Sequence, residues 1–236
     1  MVVGASSGIG RATAVLLSKL GAELLLVSRN VEKLERLKSE IDVEGKHRCM
    51  PFDVTDFDHY SELFDEAVSD GKKLDGLVYC AGTAKPVPLR VITLSEYSRL
   101  FAVNYYGFIC MTQHYAKRKY NEGGSIVGVS AMNAHHPQKC MTLYASSKEA
   151  IEASVRSLAL ELTAHGIRIN SVIPGAVDTK MSKSVDETTL NSIVERQLLG
   201  IQKPDDIANV IVFLLSGRSN AITGRNLYVD GGMLGQ

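Results

Sequence analysis

The sequence predicts a single doubly wound α/β domain spanning residues 1–236, with a parallel seven-stranded sheet and helices on both faces. Three observations lead there. Short apolar runs alternate with amphipathic segments from one end of the chain to the other. The runs are near-continuous in Val, Ile and Leu and lack the in-out polarity of a half-solvated strand, as expected when helices cover both faces of a parallel sheet. No proline-rich linker, charge block or internal repeat marks a boundary, and 236 residues is a length commonly folded around one core.

In chain order, strands are read at 1–3 (MVV), 23–28 (ELLLVS), 47–52 (HRCMPF), 74–80 (LDGLVYC), 125–130 (SIVGVS), 167–173 (IRINSVI) and 226–229 (NLYV). Helices begin near Ile9, Val31, Phe57, Ser95, Thr142, Thr188 and Pro204, filling the intervals with amphipathic sequence. The first run is short for a strand that should be central and buried, so the expectation is a trimmed or misassigned start with residues upstream of Met1. Right-handed crossovers then build the sheet, and function in such a sheet lies at the carboxyl ends of its strands.

Composition excludes several classes. Lysine plus arginine equal aspartate plus glutamate at 26 each, which offers no field for nucleic acid or an acidic membrane surface. The longest apolar runs, such as VIVFLL at 210–215, fall far below spanning length, and the opening MVVGASS is no charged-then-apolar leader. Four cysteines, Cys49, Cys80, Cys110 and Cys140, show no CxxC pairing and read as small buried apolar residues in a reducing cytoplasm.

The chemistry starts at GASSGIG. Gly4, Gly8 and Gly10, with Ser6, Ser7 and Ile9 between them, stand after the first strand and before an amphipathic helix. Residues without a Cβ let backbone approach a pyrophosphate there, and the helix start offers free N–H groups to it. About twenty residues on, where an NAD-binding fold usually places an acid for the ribose, the chain has Ser28 and Arg29. A hydroxyl and a guanidinium accept a 2'-phosphate that a carboxylate would repel, which points to NADP(H), with NAD the poorer fit.

With these residues in view, the chain resembles the classical short-chain dehydrogenase/reductase family from GASSGIG to YVDGG at 228–232. The resemblance implies a Rossmann-like domain and assigns roles. Asp53 and Val54 of FDVT would lie near the adenine, and Cys80, Ala81 and Gly82 match the family's NAG motif. Asn104 of VNYYG would anchor a proton-relay water, and Tyr144 and Lys148 form the YxxxK pair, with Lys148 also on the nicotinamide ribose. Pro174 and Gly175 match the PG turn, and Val177 and Thr179 of VDTK would border the nicotinamide carboxamide. It further implies that the segment from Thr179 to Pro204 closes over the substrate and that the chain forms a homotetramer or dimer, to which the apolar tail after 226–229 could add a contact. Helices of 95–120 and 144–162, apolar on more than one face, agree with such burial.

Three departures from the family stand out. Val3 replaces a threonine, Cys80 replaces the asparagine of NAG, and the catalytic serine expected thirteen residues before Tyr144 is Ala131, with Ser130 one position earlier. Tyr144 and Lys148 lie on one face of a helix, so an ammonium, aided by the positive ring of an oxidised nicotinamide, would bring the phenol below its ordinary pKa of about 10. Adjacent strand residues face opposite ways, so Ser130 serves only if the strand end bulges; otherwise the site lacks the hydroxyl. Asn133, His135 and His136 are further donors in the following loop. A metal reading of the two histidines is disfavoured, because no carboxylate or cysteine with ligand spacing accompanies them. The sequence thus supports an NAD(P)-dependent oxidoreductase acting on a small carbonyl compound or secondary alcohol, impaired if Ala131 truly empties the serine position. The alternative is an NADP(H)-binding sensor of little turnover. No arginine cluster for a carboxylate and no long apolar wall names a substrate.

Overall fold

Residues 1–42, 44–184 and 187–233 are described by the computed structural model. Seven strands, β1 (Val2–Val3), β2 (Leu25–Ser28), β3 (Arg48–Pro51), β4 (Gly76–Tyr79), β5 (Gly124–Val129), β6 (Ile167–Pro174) and β7 (Asn226–Val229), form one sheet in the order β3-β2-β1-β4-β5-β6-β7. Every neighbouring pair is parallel. Among the described residues, eight α-helices connect them: α1 (Gly8–Lys19), α2 (Val31–Ile41), α3 (Tyr60–Ala67), α4 (Leu94–Phe101), α5 (Gly107–Tyr115), α6 (Thr142–Leu162), α7 (Glu187–Val194) and α8 (Pro204–Leu215).

Strand alternation divides the core in two. Val3, Val27, Leu77, Tyr79 and Ile126 face one side and pack with Phe64, Phe108 and Ile151 of α3, α5 and α6. Their neighbours Val2, Leu26, Val78 and Val127 face the other side, against Ala14, Leu34 and Ile207 of α1, α2 and α8. Both faces are thus dry, which is why these strands read as continuous apolar runs. Two-residue β1 is the central strand, pairing Val2 with Leu26 on one side and with Val78 on the other. Strand order reverses between β1 and β4, and the crevice for a ligand opens beyond their carboxyl ends.

Three local expectations need correction. Helix α3 starts at Tyr60, not near Phe57, because Asp53 organises a turn first, accepting from the Thr55 N–H at 2.9 Å. The segment read as one helix from Ser95 carries a π-helical turn, Ala102–Tyr106, between α4 and α5. The four cysteines are unpaired but half-buried, not buried. Among the described residues, no helix is long and apolar enough to cross a membrane.

Candidate active site

Glycine chemistry shapes the floor of the crevice. Gly4 sits at φ +83°, and a Cβ there would come 2.7 Å from the Ala81 nitrogen; at Gly10 it would strike the Gly4 carbonyl. Only glycine lets the start of α1 settle onto the ends of β1 and β4. That helix start is open: Ser7 makes no side-chain cap, and the first turn holds no acid. By contrast α2 is closed by Asn30, whose side chain accepts from the Lys33 N–H at 2.8 Å. An uncapped helix start on a glycine cradle is an anion site, and its residues fit the pyrophosphate of a dinucleotide.

A cleft of about 700 Å³ runs over this cradle, within the size range of cofactor and substrate sites. It is lined by every residue expected to touch a cofactor except Ser28, whose hydroxyl accepts from the Asn30 N–H at 3.3 Å. Arg29 stands exposed at one end, 3.6 Å from Asp53. Partial burial raises the Asp53 carboxyl, but Thr55 hydrogen bonds and the Arg29 charge outweigh it and hold the group below its ordinary range. Thr179 faces the cradle from the far wall, its methyl 3.4 Å from where a Gly8 Cβ would be.

Tyr144 and Lys148 meet the cleft from α6. Lys148 is 4% exposed, donates to the Val129 carbonyl at 2.8 Å, and lies 5.9 Å from the Tyr144 ring centre. Gly82 makes room for it, since a Cβ there would stand 3.3 Å from the ammonium nitrogen. The Tyr144 hydroxyl has no hydrogen-bond partner among the described residues, although the side chain is 9% exposed and lines the cleft. Burial pushes the phenol up to about 12 and brings the ammonium down to about 8. This reverses the expected lowering of Tyr144: desolvation prevails, and the Lys148 ammonium is engaged with the Val129 carbonyl at the strand end.

Asn104 occupies the π-helical turn and is fully buried. Its Oδ1 accepts from the Thr83 N–H at 2.8 Å, and its amide donates to the Thr83 carbonyl at 3.0 Å and to Ser147 at 2.9 Å. Ser147 in turn donates to the Tyr144 carbonyl, so Asn104 braces the CAG turn against the helix that carries both Tyr144 and Lys148.

Ser130 lines the cleft with its hydroxyl bonded to α6. Its hydroxyl donates to Glu152 Oε1 at 2.5 Å and to the Lys148 carbonyl at 3.1 Å, both on α6. Ala131, in extended backbone, packs in the cluster that contains Tyr144 and has only a methyl to offer. Asn133 and His136 line the cleft, whereas His135 contacts both oxygens of Glu152 at 3.0 and 3.1 Å. Here the fold supplies what sequence spacing concealed: ligand-type atoms of His135, Glu149 and Glu152 lie within 4.8 Å of one another. Glu152 is 1% exposed; burial raises its carboxyl, against the pull of Ser130 and His135. The group forms a strut from the end of β5 to α6. Sequence reasoning also missed Lys180, Ile193, Arg196 and Met233, which reach the cleft from distant segments.

A dinucleotide-binding α/β protein with a phenol and an ammonium over its crevice is the class these features define. The family model described as Enoyl-(Acyl carrier protein) reductase matches residues 4–234. Over 98% of its length the chain is 35% identical to 2,3-dihydro-2,3-dihydroxybenzoate dehydrogenase of Bacillus subtilis (strain 168), covering 94% of that protein. It is 32% identical, over 98% of its length and 92% of the relative's, to 7alpha-hydroxysteroid dehydrogenase of Escherichia coli (strain K12). A solved 7 alpha-hydroxysteroid dehydrogenase, complexed with NADH and 7-oxo glycochenodeoxycholic acid, superposes with a TM-score of 0.92 at 30% identity, over 98% of this chain and 92% of that one. The chain belongs to the classical short-chain dehydrogenase/reductase family and is an NAD(P)-dependent oxidoreductase.

Proposed function

We propose that this oxidoreductase transfers hydride between NADP(H) and a small carbonyl compound or secondary alcohol, with Tyr144 as the proton donor and acceptor. The observation that carries the reading is the Tyr144 hydroxyl, buried at the cleft with no partner among the described residues, one helical turn from Lys148. A bound nicotinamide supplies hydride to the carbonyl carbon. The chain supplies the proton: Tyr144 donates its hydroxyl hydrogen to the carbonyl oxygen as negative charge grows there, and takes it back in the reverse direction. Lys148 places a positive charge beside the resulting phenolate, and Asn104 positions the helix bearing both. Gly4, Gly8 and Gly10 with the open α1 terminus would hold the pyrophosphate, Thr179, Pro174 and Gly175 the nicotinamide side, and Asp53 and Val54 the adenine side.

Arg29 favours the phosphorylated cofactor, because its exposed guanidinium stands at the end of β2 where no acid opposes a 2'-phosphate except Asp53, already paired to it. Exposed apolar groups on α4 and α6, Leu94 and Leu160, support a homo-oligomer, dimer or tetramer, and four unpaired thiols suit the cytoplasm.

The test combines fluorescence titration of NADPH and NADH with reduction of a carbonyl panel. NADPH should bind more tightly than NADH, with Arg29→Ala removing about tenfold of that preference. Tyr144→Phe should bind NADPH normally and lose about 10² to 10⁴ in rate. Equal turnover by native protein and Tyr144→Phe would refute the mechanism.

A further inference from the structure

The described lining of the cleft carries more cations than acids. Asp53, at the end of β3, is the only carboxylate among the described lining residues. Lys180 and Arg196 also line the cleft, as do Met132, Ile193 and Met233, which pack together as an apolar cluster.

Neither cation has an ion pair or a side-chain hydrogen bond among the described residues, whereas comparable surface cations do: Lys72 with Glu23 at 2.5 Å, Lys85 with Glu96 at 3.0 Å, Lys119 with Asp65 at 2.5 Å. Asp178, the acid nearest Lys180 in sequence, is taken by Lys183 at 2.9 Å. Arg196 also stands on a fixed footing. Its neighbour Gln197 is 4% exposed; the carboxamide accepts from the Ala176 N–H and donates to the Gly200 carbonyl at 2.8 Å. A side chain at Gly175 would collide with it, at 2.5 Å from Gln197 Oε1. The base of Arg196 is thereby locked to the turn after β6. Asn133, on the same stretch of lining, keeps its Oδ1 buried and without a partner, a polar atom left for a ligand to satisfy.

We propose that the substrate is an anion: an oxo or hydroxy compound with an apolar body, whose carboxylate is held by Arg196 with help from Lys180. This rests on the hydride-transfer reading above for the identity of the site. The guanidinium fork matches a carboxylate in two parallel hydrogen bonds, and the Met and Ile wall takes the remaining carbon skeleton. Both residues fall in the 179–204 segment expected to close over the substrate, but only the fold shows that both line the cleft.

The experiment uses protein loaded with NADPH and two probe acids, 4-oxopentanoate and 3-oxocyclohexanecarboxylate, each compared with its methyl ester. Binding is read by nicotinamide fluorescence and turnover by nicotinamide absorbance. At least one acid should bind about tenfold or more tightly than its ester. Arg196→Gln should abolish most of that difference through KM, with kcat, ester binding and NADPH affinity unchanged, and Arg196→Lys should restore part of it. The proposal is overturned if both acids bind no better than their esters or fail to bind, or if the preference survives in the Arg196→Gln, Lys180→Gln double variant. It is also overturned if NADPH affinity falls as far as acid affinity, which would assign these cations to the cofactor. An acid preference without turnover of any probe leaves the anion site standing and removes the hydride-transfer reading. Equal binding and reduction of acid and ester does the reverse.

Discussion

Lys148 carries its charge at a cost. Its ammonium is buried, and its folded pKa of about 8 lies below the ordinary 10.5, so the unfolded chain binds more protons between those values. The sign follows: the penalty is full below pH 8, and stability rises as pH climbs from 8 to 10.5. The native protein should therefore gain stability over that window relative to Lys148→Met, which starts up to about 3 kcal/mol ahead at neutral pH; the raised thiols of Cys49 and Cys80 pull both proteins down above pH 9 and cancel in the comparison. Tyr144, raised to about 12, adds the opposite trend only above pH 10. A gap between the two proteins' midpoints that does not narrow between pH 8 and 10 would show that Lys148 is not desolvated. Ala131 argues the other way, toward function. Its methyl packs beside Tyr144 in place of a hydroxyl, and the neighbouring Ser130 is engaged with Glu152. Ala131→Ser should raise kcat/KM for carbonyl reduction by about 10² with little change in cofactor affinity; no gain would mean that Asn133 or His136 already supplies the hydrogen bond.

Among the elements, the turn from β1 to α1 has the least tolerance. Gly10 approaches the Gly4 carbonyl and the Cys80 side chain so closely that one methyl must push α1 off the sheet. Gly10→Ala should cost about 1 to 3 kcal/mol in thermal or denaturant unfolding and weaken cofactor binding more than Arg29→Ala does. Such a variant with native affinity would exclude the cradle as the anion site. This element was legible in the sequence because it is local: strand, glycines and helix follow within a few residues. That Tyr144 and Lys148 share a helix face was legible for the same reason, since they lie one turn apart. The π-helical turn under Asn104 was not, since a single wider turn leaves the apolar spacing of 95–115 nearly unaltered while changing which carbonyls are bonded.

Across the whole molecule, what escaped sequence reading depends on residues far apart in the chain. Seven strands and their order of helices follow from apolar runs, yet the orientation of Ser130 is decided by Glu152, and Glu152 in turn by His135. That strut links β5, α6 and, through Asn226 donating to the Glu152 carbonyl at 3.3 Å, β7. Glu152→Ala should lower stability by about 2 to 4 kcal/mol, more than Ser130→Ala alone, because it removes the short acceptor of Ser130 and the carboxylate partner of the His135 imidazole together. Circular dichroism melts of the two variants decide it, and equal losses would mean that the strut carries no cooperative energy.

The fastening of Gln197 to the turn after β6 has a consequence for how such a catalyst diversifies. Ala176 is bonded to Gln197 and Asp178 to Gln202, so both flanks of the 180–196 stretch are tied to the turn after β6. Transplanting a foreign 180–196 stretch into this chain should exchange which compounds are accepted while leaving the preference for one dinucleotide over the other where it was.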